Sequence, residues 1–140
     1  MKKSVFLTAV FLLMSAQLFA QVPVYLTKAY KPVESDRYTA YSSLEIQGGD
    51  TWNNCFTLGV INNYHGYATF RLGGKYESIS FILGAEKSNG GNDPNIVQIH
   101  ADGKRIFDYV LRDGDLGQQF TLNISGVDKL EFSLVKPEVE

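Results

Sequence analysis

Asp50-Thr51-Trp52-Asn53-Asn54 sets the only tryptophan of the chain among side chains that donate and accept hydrogen bonds. Asn62-Asn63-Tyr64-His65-Gly66-Tyr67 adds two more aromatic rings, two amides and an imidazole. Sugars have apolar CH faces and polar rims. A site for them needs a flat ring for the face and a few fixed amide or imidazole groups for the hydroxyls. Trp52, Asn53, Asn54, Tyr64 and His65 are therefore the candidate carbohydrate contacts, with Trp52 as the stacking platform. A plainer duty suits the same residues, in which Trp52 covers one end of the core and the asparagines shape turns.

Other chemistries find less support. His65 and His100 are the only histidines, and neither lies in a metal-ligand spacing or a nucleophile elbow. Asp113 and Asp115 sit in Arg112-Asp113-Gly114-Asp115-Leu116-Gly117, where acidic residues serve as solvated turn formers more readily than as a glycosidase pair. Cys55 is the only cysteine, so no internal disulfide forms, and beside Phe56 it reads as a small buried apolar residue. No catalytic residue is assigned, and the chain reads as a binding protein rather than an enzyme.

The elements that must carry these residues are strands. Ala68, Phe70 and Leu72 alternate with polar neighbours, as do Ile79, Phe81 and Leu83, then Phe120, Leu122 and Ile124, then Leu130, Phe132 and Leu134. Period 2 marks strands with one buried face. Gly48-Gly49, Gly73-Gly74, Gly90-Gly91, Asp102-Gly103, Asp113-Gly114 and Ser125-Gly126 punctuate the runs and supply the reversals. Ile99 to Ile106 holds Asp-Gly between apolar alternations, the signature of a two-residue hairpin. His100 points outward on it, near Arg105. Together these features predict an all-β fold, a two-sheet antiparallel β-sandwich. The expected core is Phe56, Leu58, Ala68, Phe70, Leu72, Ile79, Phe81, Leu83, Val97, Ile99, Ile106, Leu122, Ile124, Leu130, Phe132 and Leu134. Between Gln21 and Ser43 alternation is lost and Pro23 and Pro32 intervene, which predicts one edge strand from Val24 to Thr27 and then a long surface connection.

Residues 1–20 have the layout of a secretory signal peptide: Lys2-Lys3, an apolar run from Val5 to Met14, then small and polar residues ending at Ala20. Cleavage after Ala20 leaves residues 21–140 as one domain, exported to the periplasm or beyond. No apolar stretch is long enough for a membrane span. Loss of Lys2 and Lys3 leaves 11 basic against 15 acidic side chains, a net charge of −4. A nucleic-acid partner needs a basic face, and none is present beyond Lys104-Arg105.

Gly73-Gly74-Lys75-Tyr76 followed by Ile79-Ser80-Phe81-Ile82-Leu83-Gly84, then Val97 to Lys104, then Phe120 to Val127 and Leu130-Glu131-Phe132, resembles the novel carbohydrate-binding module family from about Ile46 to Val135. The resemblance implies a galactose-binding-like β-sandwich of jelly-roll type, a glycan as ligand and a secreted glycoside hydrolase as partner; a small ligand buries little area and so binds weakly, and an envelope protein is the other partner class. The resemblance also makes the Asp102-Gly103-Lys104 hairpin a piece of scaffold. A structural calcium ion would follow from it too, for which Glu86, Asn92 and Asp93 in the 86–93 loop are the candidate ligands. That loop lacks the alternating acidic spacing of an EF-hand and reads more readily as a solvated connection. A second functional class stays open, a protein-interaction or envelope-assembly module that has kept the sandwich and has no sugar site.

Overall fold

A computed structural model describes residues 12–19, 23–45, 50–61, 64–85, 94–112, 115 and 117–137. In chain order it contains β1 (Leu12–Phe19), β2 (Val24–Tyr25), a single helical turn α1 (Leu26–Ala29), β3 (Glu34–Asp36), β4 (Tyr38–Glu45), β5 (Thr51–Leu58) and β6 (Val60–Ile61). Then follow β7 (Tyr64–His65), β8 (Tyr67–Arg71), β9 (Ser78–Ala85), β10 (Asn95–Ala101), β11 (Lys104–Leu111), β12 (Gln118–Asn123) and β13 (Lys129–Val135). One sheet runs β12-β9-β1-β5-β4, with β2 added to β1, and the other runs β11-β10-β13-β8-β3. All of these pairs are antiparallel. A short β6-β7 ribbon stands apart. The two-sheet antiparallel sandwich is thus as expected, with four helical residues among those described.

The sheets meet through aromatic rings. Phe56 of the first sheet lies 5.4 Å from Phe132 and 6.0 Å from Phe70 of the second, and Phe81 lies 5.4 Å from Phe107 at 90°. Edge-to-face contacts of this kind add to the gain from burying large apolar rings. Fourteen of the sixteen expected core residues are buried, and the other two, Ile106 and Leu122, are only half-buried. Both lie on the outermost strands, β11 and β12, where one flank has no neighbour to cover it. Met14, Ala16, Leu18, Leu26, Cys55 and Leu111 complete the core.

The stretch from Gln21 to Ser43 departs from expectation. Instead of one edge strand to Thr27 and a surface connection, the chain turns at α1, anchored by the fully buried Leu26, and adds β3 and β4. In β4 the half-buried positions are Tyr38, Tyr41 and Leu44, three apart, so an outer strand carries no period-2 signal. Tyr38 inserts its ring against Phe56 at 5.3 Å and Phe70 at 6.0 Å.

The Asp102-Gly103 reversal is a two-residue hairpin closed by the Ala101–Lys104 pair, with φ of 50° and 85°. Positive φ at both central residues is what a type I′ turn requires. The Asp102 carboxylate accepts the N–H of Lys129 at 2.8 Å and of Asp128 at 3.2 Å, and the Asp102 N–H donates to the Lys129 carbonyl at 2.9 Å. The hairpin is therefore fastened to the start of β13, and its duty is scaffold.

Candidate functional site

Trp52, Asn53 and Asn54 lie in the first half of β5, and the burial pattern shows why that half differs from the rest. Thr51 to Asn54 are exposed or half-buried, whereas Cys55 to Leu58 are all buried. β5 pairs with β4 in one register, Leu44 with Trp52, Ser43 with Asn53 and Tyr41 with Cys55, but the Ser42–Asn54 step is missing. Asn54 has φ 55°, a left-handed conformation that asparagine tolerates better than most residues. This break separates the core-facing half of the strand from the half that carries the indole.

Trp52 is half-buried, and two glycines explain its seat. A Cβ on Gly84 of β9 would come within 2.8 Å of the indole Cη2. A Cβ on Gly117, just before β12, would come within 2.6 Å of Cζ2 and 2.7 Å of the Ile82 Cγ2. The benzo end of the ring thus rests where only glycine leaves room, and the residue as a whole is half-buried. A glycine inside an apolar strand pattern, as in Ile79 to Gly84, is the sequence signal for such a close approach. Neither Gly84 nor Gly117 was among the candidate residues.

The five candidate residues do not converge. Trp52 and Leu58 are six residues apart along β5, near its two ends. The β6-β7 ribbon begins beyond Leu58, with His65 paired to Val60. Gly66, next to it, packs so closely on Gly59 that an added Cβ would lie 2.6 Å from the Gly59 carbonyl oxygen. Tyr64 and His65, the latter exposed, therefore belong to the opposite end of β5 from Trp52. Two short segments that both follow turns look alike in sequence, and the length of the strand between them decides their separation.

Cys55 is buried, and burial pushes its thiol up, so it stays protonated at neutral pH. Its Sγ lies 3.8 Å from the Trp52 carbonyl oxygen. Burial likewise pushes the Tyr38 hydroxyl up to about 12. Tyr30 also rises to about 12, by burial and then by its 2.8 Å hydrogen bond with the Tyr76 hydroxyl. Among the described residues no three of His, Cys, Asp and Glu gather as a metal site. Glu86, Asn92 and Asp93 lie outside the described residues. No described helix is long and apolar enough to cross a membrane.

The chain matches the NPCBM/NEW2 domain over residues 16–138. It belongs to that family. The sandwich is also similar to a solved structure, CBM51 from Clostridium perfringens GH95 in complex with methyl-galactose, with a TM-score of 0.60 and 12% identity. The likeness covers 84% of this chain and 89% of that one. No curated protein matches. The NPCBM/NEW2 chain thus has the fold of a carbohydrate-binding module, and the family match extends beyond the Ile46 to Val135 stretch that carries the resemblance in sequence.

Proposed function

We propose that this chain is exported, with cleavage after Ala20, and binds a carbohydrate weakly without altering it. The observation that carries the reading is the half-exposed indole of Trp52, held on Gly84 and Gly117, with the exposed Asn53 next to it and Asn54 turned by its left-handed backbone. An aromatic ring seated against backbone presents a rigid apolar surface, and the amides beside it suit sugar hydroxyls. Family membership supports a sugar as the ligand, and the methyl-galactose held by the CBM51 relative makes galactosides the first ligands to try. Tyr64 and His65 stand apart from Trp52, on the β6-β7 ribbon. The natural setting is a secreted glycoside hydrolase or an envelope protein that needs to be kept near its glycan.

A single small ligand buries little area and loses mobility on binding, so the dissociation constant expected is about 10 μM to 1 mM. A glycan array followed by calorimetry on the best hit tests this. Trp52→Ala removes the platform and abolishes binding with the circular dichroism spectrum retained, and Gly117→Ala weakens binding by displacing the ring. A Trp52→Ala variant that is unfolded makes Trp52 a core residue and ends the proposal for this site. His65→Ala leaves affinity for the Trp52 ligand unchanged. Calcium at Glu86, Asn92 and Asp93 is a further proposal: the ion raises the melting temperature and a chelator lowers it, whereas superimposable curves dismiss the site.

A further inference from the structure

The indole of Trp52 lies on the outer face of the β12-β9-β1-β5-β4 sheet. Ile79, Phe81 and Leu83 of β9 are buried in the core, so Ser80, Ile82 and Gly84 face outward. Phe120 and Leu122 of β12 also pack on the core, which turns Gln119 and Thr121 outward. A Cβ on Gly117 would meet the indole Cζ2 at 2.6 Å and the Ile82 Cγ2 at 2.7 Å, so Ile82 is the neighbour of the ring. From there the register carries the face onward in pairs, Ile82 with Gln119 and then Ser80 with Thr121. The Ser80 and Thr121 hydroxyls are hydrogen-bonded to each other at 2.7 Å, which fixes both oxygens while each keeps further bonding capacity. Gly84 and Ser80 are four residues apart on a strand paired without a break, about 13 Å at the usual rise and more than a single sugar ring spans. A depression of about 190 Å³ continues the face, with Gln17, Tyr25, Ser80, Ile82 and Gln119 among its lining. Charged residues are the usual occupants of exposed positions. The outward positions of β9 and β12 hold no Asp, Glu, Lys or Arg, and offer hydroxyls, an amide and an apolar side chain instead.

We propose that this face is a track for a neutral oligosaccharide. One sugar stacks on Trp52, and the following units run along β9 and β12 past Ile82 and Gln119 to Ser80 and Thr121. Ile82 meets an apolar CH face, while the Gln119 amide and the two fixed hydroxyls meet ring hydroxyls. The occupant is uncharged because the track holds no counter-charge for an acidic or basic one. The proposal rests on the reading of Trp52 as a sugar platform and extends it from a single sugar to a chain. Of the residues named, only Gln17 lies within residues 1–20, and the contacts assigned to the oligosaccharide do not include it.

The test is an array of neutral linear glycans of increasing length, each beside its sialylated or sulfated counterpart, followed by calorimetry on the best neutral series. The expected result is a signal that grows with chain length, with three sugars bound about tenfold more tightly than one. The anionic counterparts add nothing. Thr121→Val combined with Gln119→Ala brings the ratio of trisaccharide to monosaccharide affinity down to about one, with the circular dichroism spectrum retained. Gln119→Ala alone, which keeps the Ser80–Thr121 pair, removes part of the gain. Equal affinity for one sugar and for three overturns the track and leaves the Trp52 platform standing. A length gain that the double variant keeps, or one that only anionic glycans show, also overturns it. A dimer in light scattering that Gln119→Arg disperses assigns the face to a second copy of the chain and overturns the track. Silence across the whole array ends the Trp52 reading and the track together.

Discussion

The two sheets of this sandwich are built on different plans. In the β11-β10-β13-β8-β3 sheet, β10 and β11 are joined by a tight hairpin whose Asp102 is bonded to the start of β13. At the same end, the Gly74 N–H donates to the Val127 carbonyl at 2.9 Å, so the reversals are tied to each other as well as to strands. In the β12-β9-β1-β5-β4 sheet, by contrast, the central position belongs to a strand distant in sequence from both its neighbours, and the indole of Trp52 rests on glycines of distant segments. The first sheet is secured by local turn chemistry and the second by long-range packing. The proposed site lies on the second, where Trp52 is left half-buried.

The aromatic seam between the sheets should be the most costly thing to break, since both plans depend on it. Phe56 is fully buried and touches Tyr38, Phe70 and Phe132. Phe56→Ala should destabilise the chain by about 3 to 5 kcal/mol, a large share of the stability of a domain this size. Urea denaturation measures it. In a double-mutant cycle with Phe132→Ala the two changes should fall short of additivity by about 1 kcal/mol, because each removes the other's partner.

The contrast between the sheets also explains what could be read in the sequence. Strands such as Ser78–Ala85 and Lys129–Val135 announce themselves because one face is buried and the other is not, and the Asp102-Gly103 turn names its own backbone conformation. β4 escapes because its half-buried positions are three apart, and Leu111 because it sits next to the Arg112-Asp113-Gly114 turn signal. Residues 12–19 have the composition of a leader, and composition does not reveal a sheet partner. At the site, Trp52 was legible as an odd residue in a polar segment. Its separation from Tyr64 and His65 was not, since it depends on how many steps β5 stays extended. Gly84 carried a signal in the middle of an apolar strand, but only three dimensions identify the ring that lies on it.

A smaller effect sharpens the comparison from the side of the turn-secured sheet. Asp102→Ala removes the acceptor of two backbone N–H groups and puts a Cβ residue without αL tolerance at φ 50°. The loss expected is about 1 to 3 kcal/mol, and hydrogen exchange should quicken first at the Asp128 and Lys129 amides. Asp102→Gly restores the conformation but not the acceptor, so it should recover only part of the loss. If instead both variants match the parent, the fastening of hairpin to β13 contributes nothing and the stated difference between the sheets loses its basis.

The smallest effect concerns the seam from its rim. Tyr38 stands on β4 in the long-range sheet, and its hydroxyl is raised from 10.0 to about 12 by burial among apolar groups. A phenol that ionises later in the folded chain than in the unfolded one holds its proton in the native state between pH 10 and 12 while the unfolded state loses it. Native-state proton excess makes stability fall as pH rises. The contribution is complete below pH 10 and is lost by about pH 12. Partial exposure of the ring trims the effect to about 1 kcal/mol. Tyr30, which is also raised to about 12, acts in the same direction, so the parent should lose stability across this window through both groups. Tyr38→Phe should remove one share: its denaturation midpoint should decline less steeply from pH 10 to 12 than that of the parent. At pH 7 the two should differ little, because the ring contacts with Phe56 and Phe70 at 5.3 and 6.0 Å do not involve the hydroxyl. Parallel declines in the two proteins would mean that the Tyr38 hydroxyl reaches water freely and that β4 covers the seam less closely than its packing indicates.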